Sequence, residues 1–185
     1  MIKWILKLVK PFVIWLGHQR LKLKVSKFDV LDLAQLRMHI KPGDILLTTT
    51  WGESSNLLNW GTWKHALMYI GDDTIIEAVG EGVIENTLEK VTVGKYRVLA
   101  LTSKVHTRLE VHDAIENMKG RLGRSYDYDF NPDNDSDYCS ESIWFSYMDS
   151  NPQIKLKRQV LAGLHIVKPN HFKEDKDVWQ IVYRK

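Results

Sequence analysis

The sequence predicts an α+β domain built on an antiparallel sheet, and three observations predict it. Short β-prone runs recur at Ile45–Thr49, Lys64–Ile70, Thr74–Val79 and Tyr96–Thr102, with two more late in the chain. Two of them flank Gly71-Asp72-Asp73, which is hairpin chemistry. The helical periods at Thr107–Leu122 and Cys139–Met148 stand apart from that run of strands. The chain has 185 residues, 44% hydrophobic and 26% charged, which is globular composition and enough length to bury a core without staples.

Taken in order, the first element is a basic segment. Lys3, Lys7, Lys10, Arg20, Lys22, Lys24 and Lys27 fall within residues 1–27, and no acid does. Taking these seven from 26 basic residues leaves 19 against 23 acidic, so the rest of the chain carries a net −4. Lys7 and Lys10 interrupt the apolar run and no small-residue cleavage motif follows, which argues against a cleavable signal peptide. The run is also too short and too charged for a membrane span. At 100° per residue, Lys3, Lys7 and Lys10 lie within about 60° of one another, with Trp4, Ile5, Leu8, Phe12 and Trp15 around much of the remainder. Two readings fit this basic amphipathic helix: residues 1–24 lie on a membrane surface, or the helix packs on the protein's own core. Cytoplasmic placement with peripheral membrane association agrees with the first, and the compartment itself does not follow from these signals.

Residues 28–185 are expected to form one domain, with no internal repeat. Asp29–Ile40 has a short helical period that stops before Pro42. Lys41-Pro42-Gly43-Asp44 is a turn into the Ile45–Thr49 strand. Residues 50–62 read as a loop, with a short helix at Ser55–Trp60, and Gly80-Glu81-Gly82 as a simple turn. The Thr107–Leu122 helix carries Leu109, Ala114, Ile115, Met118 and Leu122 along its apolar side. Residues 126–138 form a polar acidic loop, and Val160–Val167 and Val178–Tyr183 are late strands.

The chemistry concentrates in two places. His65 and Glu77 are equidistant from Gly71, so a hairpin sets them opposite or diagonal to each other, about 5–8 Å apart. A carboxylate beside an imidazole fixes its tautomer and favours its charged form. The chain's one cysteine, Cys139, opens the helix that follows 126–138, with Asp137 as the expected N-cap. Unpaired N–H groups and the helix dipole stabilise a thiolate there, and the Cys139 N–H can hold a developing oxyanion. A thiol, a histidine and a carboxylate are the parts of a cysteine-nucleophile site. By themselves they equally describe a small buried thiol and a surface His–Glu contact, because spacing does not bring the two places together.

Metal and nucleic-acid chemistry are not indicated. In the acidic stretch 127–137, an EF-hand register from Asp133 puts Tyr138 and Trp144 at positions 6 and 12, and one from Asp129 puts Asn134 and Ser140 there. His106 and His112 fall on opposite sides of a helix, and the remaining histidines, His18, His39, His165 and His171, form no ligand pair. A net charge of +3 without a basic, aromatic-interleaved surface does not point to nucleic acid. No cofactor motif is present. Trp51, Trp60 and Trp63 read equally as substrate-groove walls and as core.

Gly43-Asp44-Ile45-Leu46, His65-Ala66-Leu67-Met68-Tyr69-Ile70-Gly71, Ile76-Glu77-Ala78 and Tyr138-Cys139-Ser140-Glu141, in that order, resemble the permuted NlpC-type enzymes. The nearest group is the YiiX-like permuted papain-fold amidases, in which the histidine strand precedes the cysteine. The resemblance spans roughly residues 41–149. It implies a circularly permuted papain-like fold, an antiparallel barrel-like sheet packed on the helix that carries the cysteine. It also implies Cys139 as nucleophile, His65 as base and Glu77 as the residue orienting the imidazole, with Tyr126 lining the substrate site; Trp63 and Tyr138, beside His65 and Cys139, are further candidates for that lining. The reaction implied is amide hydrolysis through a thioester, first of all on a cell-wall (peptidoglycan) peptide. The alternatives are a lipid or N-acyl amidase or acyltransferase of the same fold, and a non-catalytic module binding a peptide or acyl chain.

Overall fold

The computed structural model describes residues 28–50, 62–130, 134–161 and 164–185. The basic segment 1–27 and the loop with Trp51 and Trp60 lie outside the described residues.

Helix α1 (Val30–Arg37) starts at Asp29, whose carboxylate accepts from the N–H groups of Leu31 and Asp32 at 2.9 and 3.0 Å, while Asp32 reciprocates at 3.1 Å. This is a capping box, and it satisfies donors that a helix start leaves open. Strands β1 (Ile45–Thr49), β2 (His65–Gly71), β3 (Thr74–Val79) and β4 (Gly82–Thr87) follow, then the short α2 (Leu88–Thr92) and β5 (Arg97–Ser103). After α3 (Arg108–Lys119) come two two-residue strands, β6 (Ser125–Tyr126) and β7 (Ser136–Asp137), paired parallel inside the expected acidic loop. The chain then forms α4 (Cys139–Ser150), a small hairpin of β8 (Gln159–Leu161) and β9 (Leu164–Ile166), α5 (Pro169–Glu174) and β10 (Trp179–Arg184).

The main sheet has six antiparallel strands in the order β10-β5-β1-β2-β3-β4. It is open, so the expected barrel-like closure is corrected: β4 and β10 are edges that do not pair with each other. The β4 edge is capped instead by the chain after α3, where Val83 N–H donates to Arg124 O and Gly123 N–H to Val83 O, each at 2.9 Å. Gly82 permits that approach, because its φ is +111° and a Cβ there would lie 2.4 Å from Arg124 O. These two bonds occupy the edge at Val83, where another strand would otherwise pair.

Both faces of the sheet are covered. On one, Leu47, Met68, Ile76 and Leu99 pack against Ile115 and Met118 of α3 and Ile143 and Tyr147 of α4. On the other, Leu46, Leu67, Ile75 and Val98 pack against Phe28, Leu33 and Leu36. This explains why the central strands are near-continuously apolar rather than alternating.

The long helix is shorter than expected and turned differently. Ala114, Ile115 and Met118 are buried, while Leu109 is 70% exposed and Leu122 lies beyond the helix end. At 100° per residue Leu109 sits 140–180° from Ala114 and Met118, so one face cannot bury all three. The expected Val160–Val167 strand is a hairpin, with Leu161↔Leu164 as its last pair. β4 was not expected at all, and α2 and α5 likewise carry no strong period.

The orientation of α3 has a direct test. Met118→Ala should destabilise the domain by about 2–5 kcal/mol through the cavity it leaves. Leu109→Ala should stay within about 0.5 kcal/mol. Urea denaturation of both variants measures this, and equal losses would contradict the helix orientation.

Candidate active site

The site is assembled where β2 and β3 stop pairing. Their ladder runs from Gly71↔Thr74, across an irregularity, to Met68↔Ile76 and ends there. Asp72 and Asp73 both have positive φ, 47° and 57°, so the turn centres on Asp72 rather than Gly71. Continuing the Met68↔Ile76 register sets His65 against Val79 and Glu77 against Leu67. Of the two placements open to the sequence, the diagonal one is found. His65 Nε2 and Glu77 Oε2 are 2.6 Å apart.

Past the end of the ladder, Ala66 N–H has no partner strand on the β3 side, and it favours the charged form of the nearby Cys139 sulfur. The sulfur and the His65 ring also interact, each favouring the other's charged form. Since Nε2 is taken by Glu77, Nδ1 is the ring nitrogen left for the sulfur. Glu77 is held at its other oxygen by Asn86 of β4, whose Nδ2 donates to Oε1 at 2.8 Å. The result is a hydrogen-bonded series from Asn86 through Glu77 to His65, with the Cys139 sulfur in electrostatic interaction with the imidazole.

The sulfur reaches that place on the first residue of α4, 7% exposed. The helix start differs from expectation in one respect. Asp137 is not the N-cap, because Arg121 takes its carboxylate at 2.6 Å and Arg124 lies 3.6 Å from its other oxygen. Tyr138 is the N-cap and makes no side-chain capping bond; Glu141 accepts weakly from its N–H at 3.4 Å. As the first helical residue, Cys139 has an N–H without an acceptor in its own helix.

The electrostatics follow from these contacts. Burial alone would push the Cys139 thiol up, but the imidazole bonded to it brings it below the usual thiol range. Burial likewise opposes charge on His65, and the sulfur and Glu77 overcome it, raising the imidazole to about 10. Glu77 is also desolvated, yet its bond to His65 keeps it below the usual carboxylate range. Around neutral pH His65 is therefore an imidazolium and Glu77 a carboxylate, and the thiolate of Cys139 is more accessible than that of an ordinary thiol. The neighbouring Glu141 behaves oppositely. Burial, with Asp127 and Asp137 close by, pushes it up to about 8, so it holds a proton at neutral pH and adds little negative charge behind the sulfur.

The residues expected to line the substrate site separate. Tyr126 is half-buried against Tyr128, ring centroids 4.8 Å apart, and burial together with the nearby sulfur charge raises its hydroxyl. Trp63 is corrected from groove wall to core, being 2% exposed. Tyr138 is corrected too. It is buried, its hydroxyl accepts from Val167 N–H at 2.8 Å, and its ring meets Phe130 edge-on at 5.0 Å. Both are anchors, because aromatic side chains so close in sequence to His65 and Cys139 are needed to seat those residues.

Sequence reasoning missed Asn86, the Ala66 N–H and the C-terminal segment. Ser140 Oγ donates to Val167 O at 2.8 Å, and Trp63 N–H donates to Asn170 Oδ1 at 3.0 Å. The stretch from Val167 to Asn170 thus ties the chain just ahead of His65 to the start of the cysteine helix. None of this has a spacing signal; the β-prone Val83-Ile84 pair after Gly82 was the one available hint of β4.

The family model described as permuted papain-like amidase enzyme, YaeF/YiiX, C92 family, matches residues 39–183. The chain belongs to that family of cysteine peptidases and amidases. No curated protein matches it significantly. Among solved structures it is similar to the crystal structure of metalloprotein yiiX from Escherichia coli O157:H7, with a TM-score of 0.68 and 18% identity over 80% of this chain and 98% of that one. At that identity the likeness concerns the fold. Among the described residues here, no group of three or more His, Cys, Asp or Glu is arranged to hold a metal ion.

The electrostatics predict an extended reactive window for Cys139. The reactive thiolate is present above its lowered pKa and disappears as pH falls through it, so alkylation by iodoacetamide should stay fast well below the usual thiol pKa of about 8.5. His65→Ala removes the stabilising cation and should move the inflection to about 8.5 or higher. An inflection near 8.5 in the unaltered protein, unmoved by the substitution, would rule out the ion pair.

Proposed function

We propose that the protein hydrolyses an amide bond, with Cys139 as nucleophile, His65 as general base and acid, and Glu77 orienting the imidazole. The observation that carries this reading is the 2.6 Å His65–Glu77 hydrogen bond at the β2–β3 gap, with the imidazole interacting with the Cys139 sulfur and keeping 23% of its side-chain exposure.

The chemistry is derived from the atoms present. The thiolate attacks the carbonyl carbon, and the oxygen takes up the charge beside the Cys139 N–H. The C–N bond breaks as the imidazolium passes its proton to the leaving nitrogen, giving an amine and a thioester. Neutral His65 then removes a proton from water. The hydroxide attacks the thioester, and acid and thiolate are released. Glu77 keeps the ring in one tautomer throughout and stabilises the charged form before each proton transfer.

For substrate, we favour a cell-wall stem peptide. An N-acylated lipid or amine is the second reading, and the acid-free basic segment 1–27 with its tryptophans supports it, since such a segment suits a lipid surface. A Cys139 thioester serves either substrate, and passing the acyl group to an alcohol or amine differs only in what replaces water.

The test is incubation with peptidoglycan fragments and with N-acyl amides, with intact-mass detection of an acyl adduct. Cys139→Ser should abolish both adduct and turnover, while His65→Ala should lower turnover about 10²–10⁴-fold. Glu77→Gln should lower kcat with a smaller effect on KM. Turnover that survives Cys139→Ser would sink the proposal, and a folded protein with no adduct on any substrate would favour a binding module.

A further inference from the structure

Asn86 lies on β4 opposite Ile75 of β3, one residue from the strand's last pair, Thr74↔Thr87. Its position gives it one polar partner of consequence, the buried carboxylate of Glu77. A carboxylate only accepts hydrogen bonds, so the amide must present its NH₂ there. That NH₂ binds Oε1 at 2.8 Å while His65 Nε2 binds Oε2 at 2.6 Å.

Two consequences follow. The first is geometric. With a donor on one oxygen, rotation of the carboxylate would break two hydrogen bonds rather than one and leave a buried oxygen without a donor, which is unfavourable. The second concerns the proton. A donor on Oε1 lowers the proton affinity of the carboxylate, so the shared proton stays on the imidazole. Lys95 adds a favourable charge from farther away, but it makes no such directional demand.

We propose that Asn86 is a positioning residue of this site: by occupying one oxygen of Glu77 it holds the other on His65 Nε2, and so keeps Nδ1 on the sulfur of Cys139. The proposal rests on the triad reading above. Asn86 touches neither the sulfur nor the imidazole, and it acts through Glu77 alone. The carboxamide also suits the site better than a cationic side chain, which would stabilise Glu77 without favouring charge on His65.

The experiment compares the pH profile of Cys139 alkylation by iodoacetamide in the unaltered protein, Asn86→Ala, Asn86→Gln and His65→Ala, with the His65 ring followed by NMR titration. Asn86→Ala should raise the thiol inflection by about one unit, which is about tenfold slower alkylation on the acid side. It should lower the imidazole pKa in the same titration. Asn86→Gln, which keeps a carboxamide donor, should recover part of both shifts, whereas a purely structural role would leave both profiles in place. Asn86→Leu keeps much of the volume and removes the donor without adding charge, so it reads the same shift should the alanine variant fail to fold. If His65→Ala moves the inflection and neither donor-lacking Asn86 variant does, the role of Asn86 is overturned and the triad stands. If His65→Ala also has no effect, the triad reading falls and this inference falls with it.

Discussion

A buried sulfur holds a negative charge only where donors reach it from several directions, and here they converge because two strands stop pairing. Met68↔Ile76 is the last pair of the β2–β3 ladder. Two residues beyond it, Ala66 turns an N–H unpaired on that side toward Cys139, and His65 at the strand's first position brings its ring to the same atom. The free backbone donor would be a liability in an ordinary sheet, since an unmet buried N–H costs as much as a lost hydrogen bond. The cysteine at the helix head meets it. The gap in the sheet and the charged site are thus one feature, and the turn centred on Asp72 sets how far the ladder runs before it opens.

The rest of the domain holds two pieces of chain in that relation. The cysteine helix is fixed from below by Tyr147, whose hydroxyl donates to the Gly43 carbonyl, and from the side by Asn117 of α3, which donates to Ser146 O at 3.1 Å. At its head, Tyr138 and Ser140 engage both backbone groups of Val167. Three residues later Asn170 holds Trp63, two positions before the histidine. Residues 167–170 therefore bridge the nucleophile's helix and the base's strand without contributing a reactive group. That is the office of the C-terminal part, about which periodicity says little.

The acids near the helix start take different charge states for physical reasons. Asp137 is paired to Arg121 and Arg124, so its charge is answered locally. Glu141 has no cation at hydrogen-bond distance among the described residues and is pushed up to about 8 by burial and its acidic neighbours. Burial also raises Asp137, opposed by its two arginines, and the protonated Glu141 adds little negative charge behind Cys139. Glu77 remains ionised because its two oxygens are met by His65 and Asn86.

Much of the fold was legible in the sequence where local chemistry and tertiary contacts agree. The Ile45–Thr49 and Thr74–Val79 strands need only β-branched runs between turns, and Thr107 and Asp29 cap their helices as short polar side chains do. Elsewhere a packing partner decided. Leu109 looked apolar enough for a core, but α3 rests on α4 through Ala114, Ile115 and Met118, so Leu109 faces water. Asp137 had the chemistry of an N-cap until Arg121, sixteen residues earlier, claimed it. β4 was hidden because Gly80-Glu81-Gly82 reads as a turn and stops attention there.

By itself the sequence determined the class of fold, the permuted order of histidine before cysteine, and three side chains as candidates for the chemistry, because residue type, spacing and turn signals are local properties. Only the tertiary structure decided that the three meet, that their pairing is diagonal, that the sheet stays open, and that Asn86 and Ala66 complete the series. Those outcomes depend on where a ladder ends and which backbone groups remain unpaired, and such groups acquire partners only when distant segments are packed together.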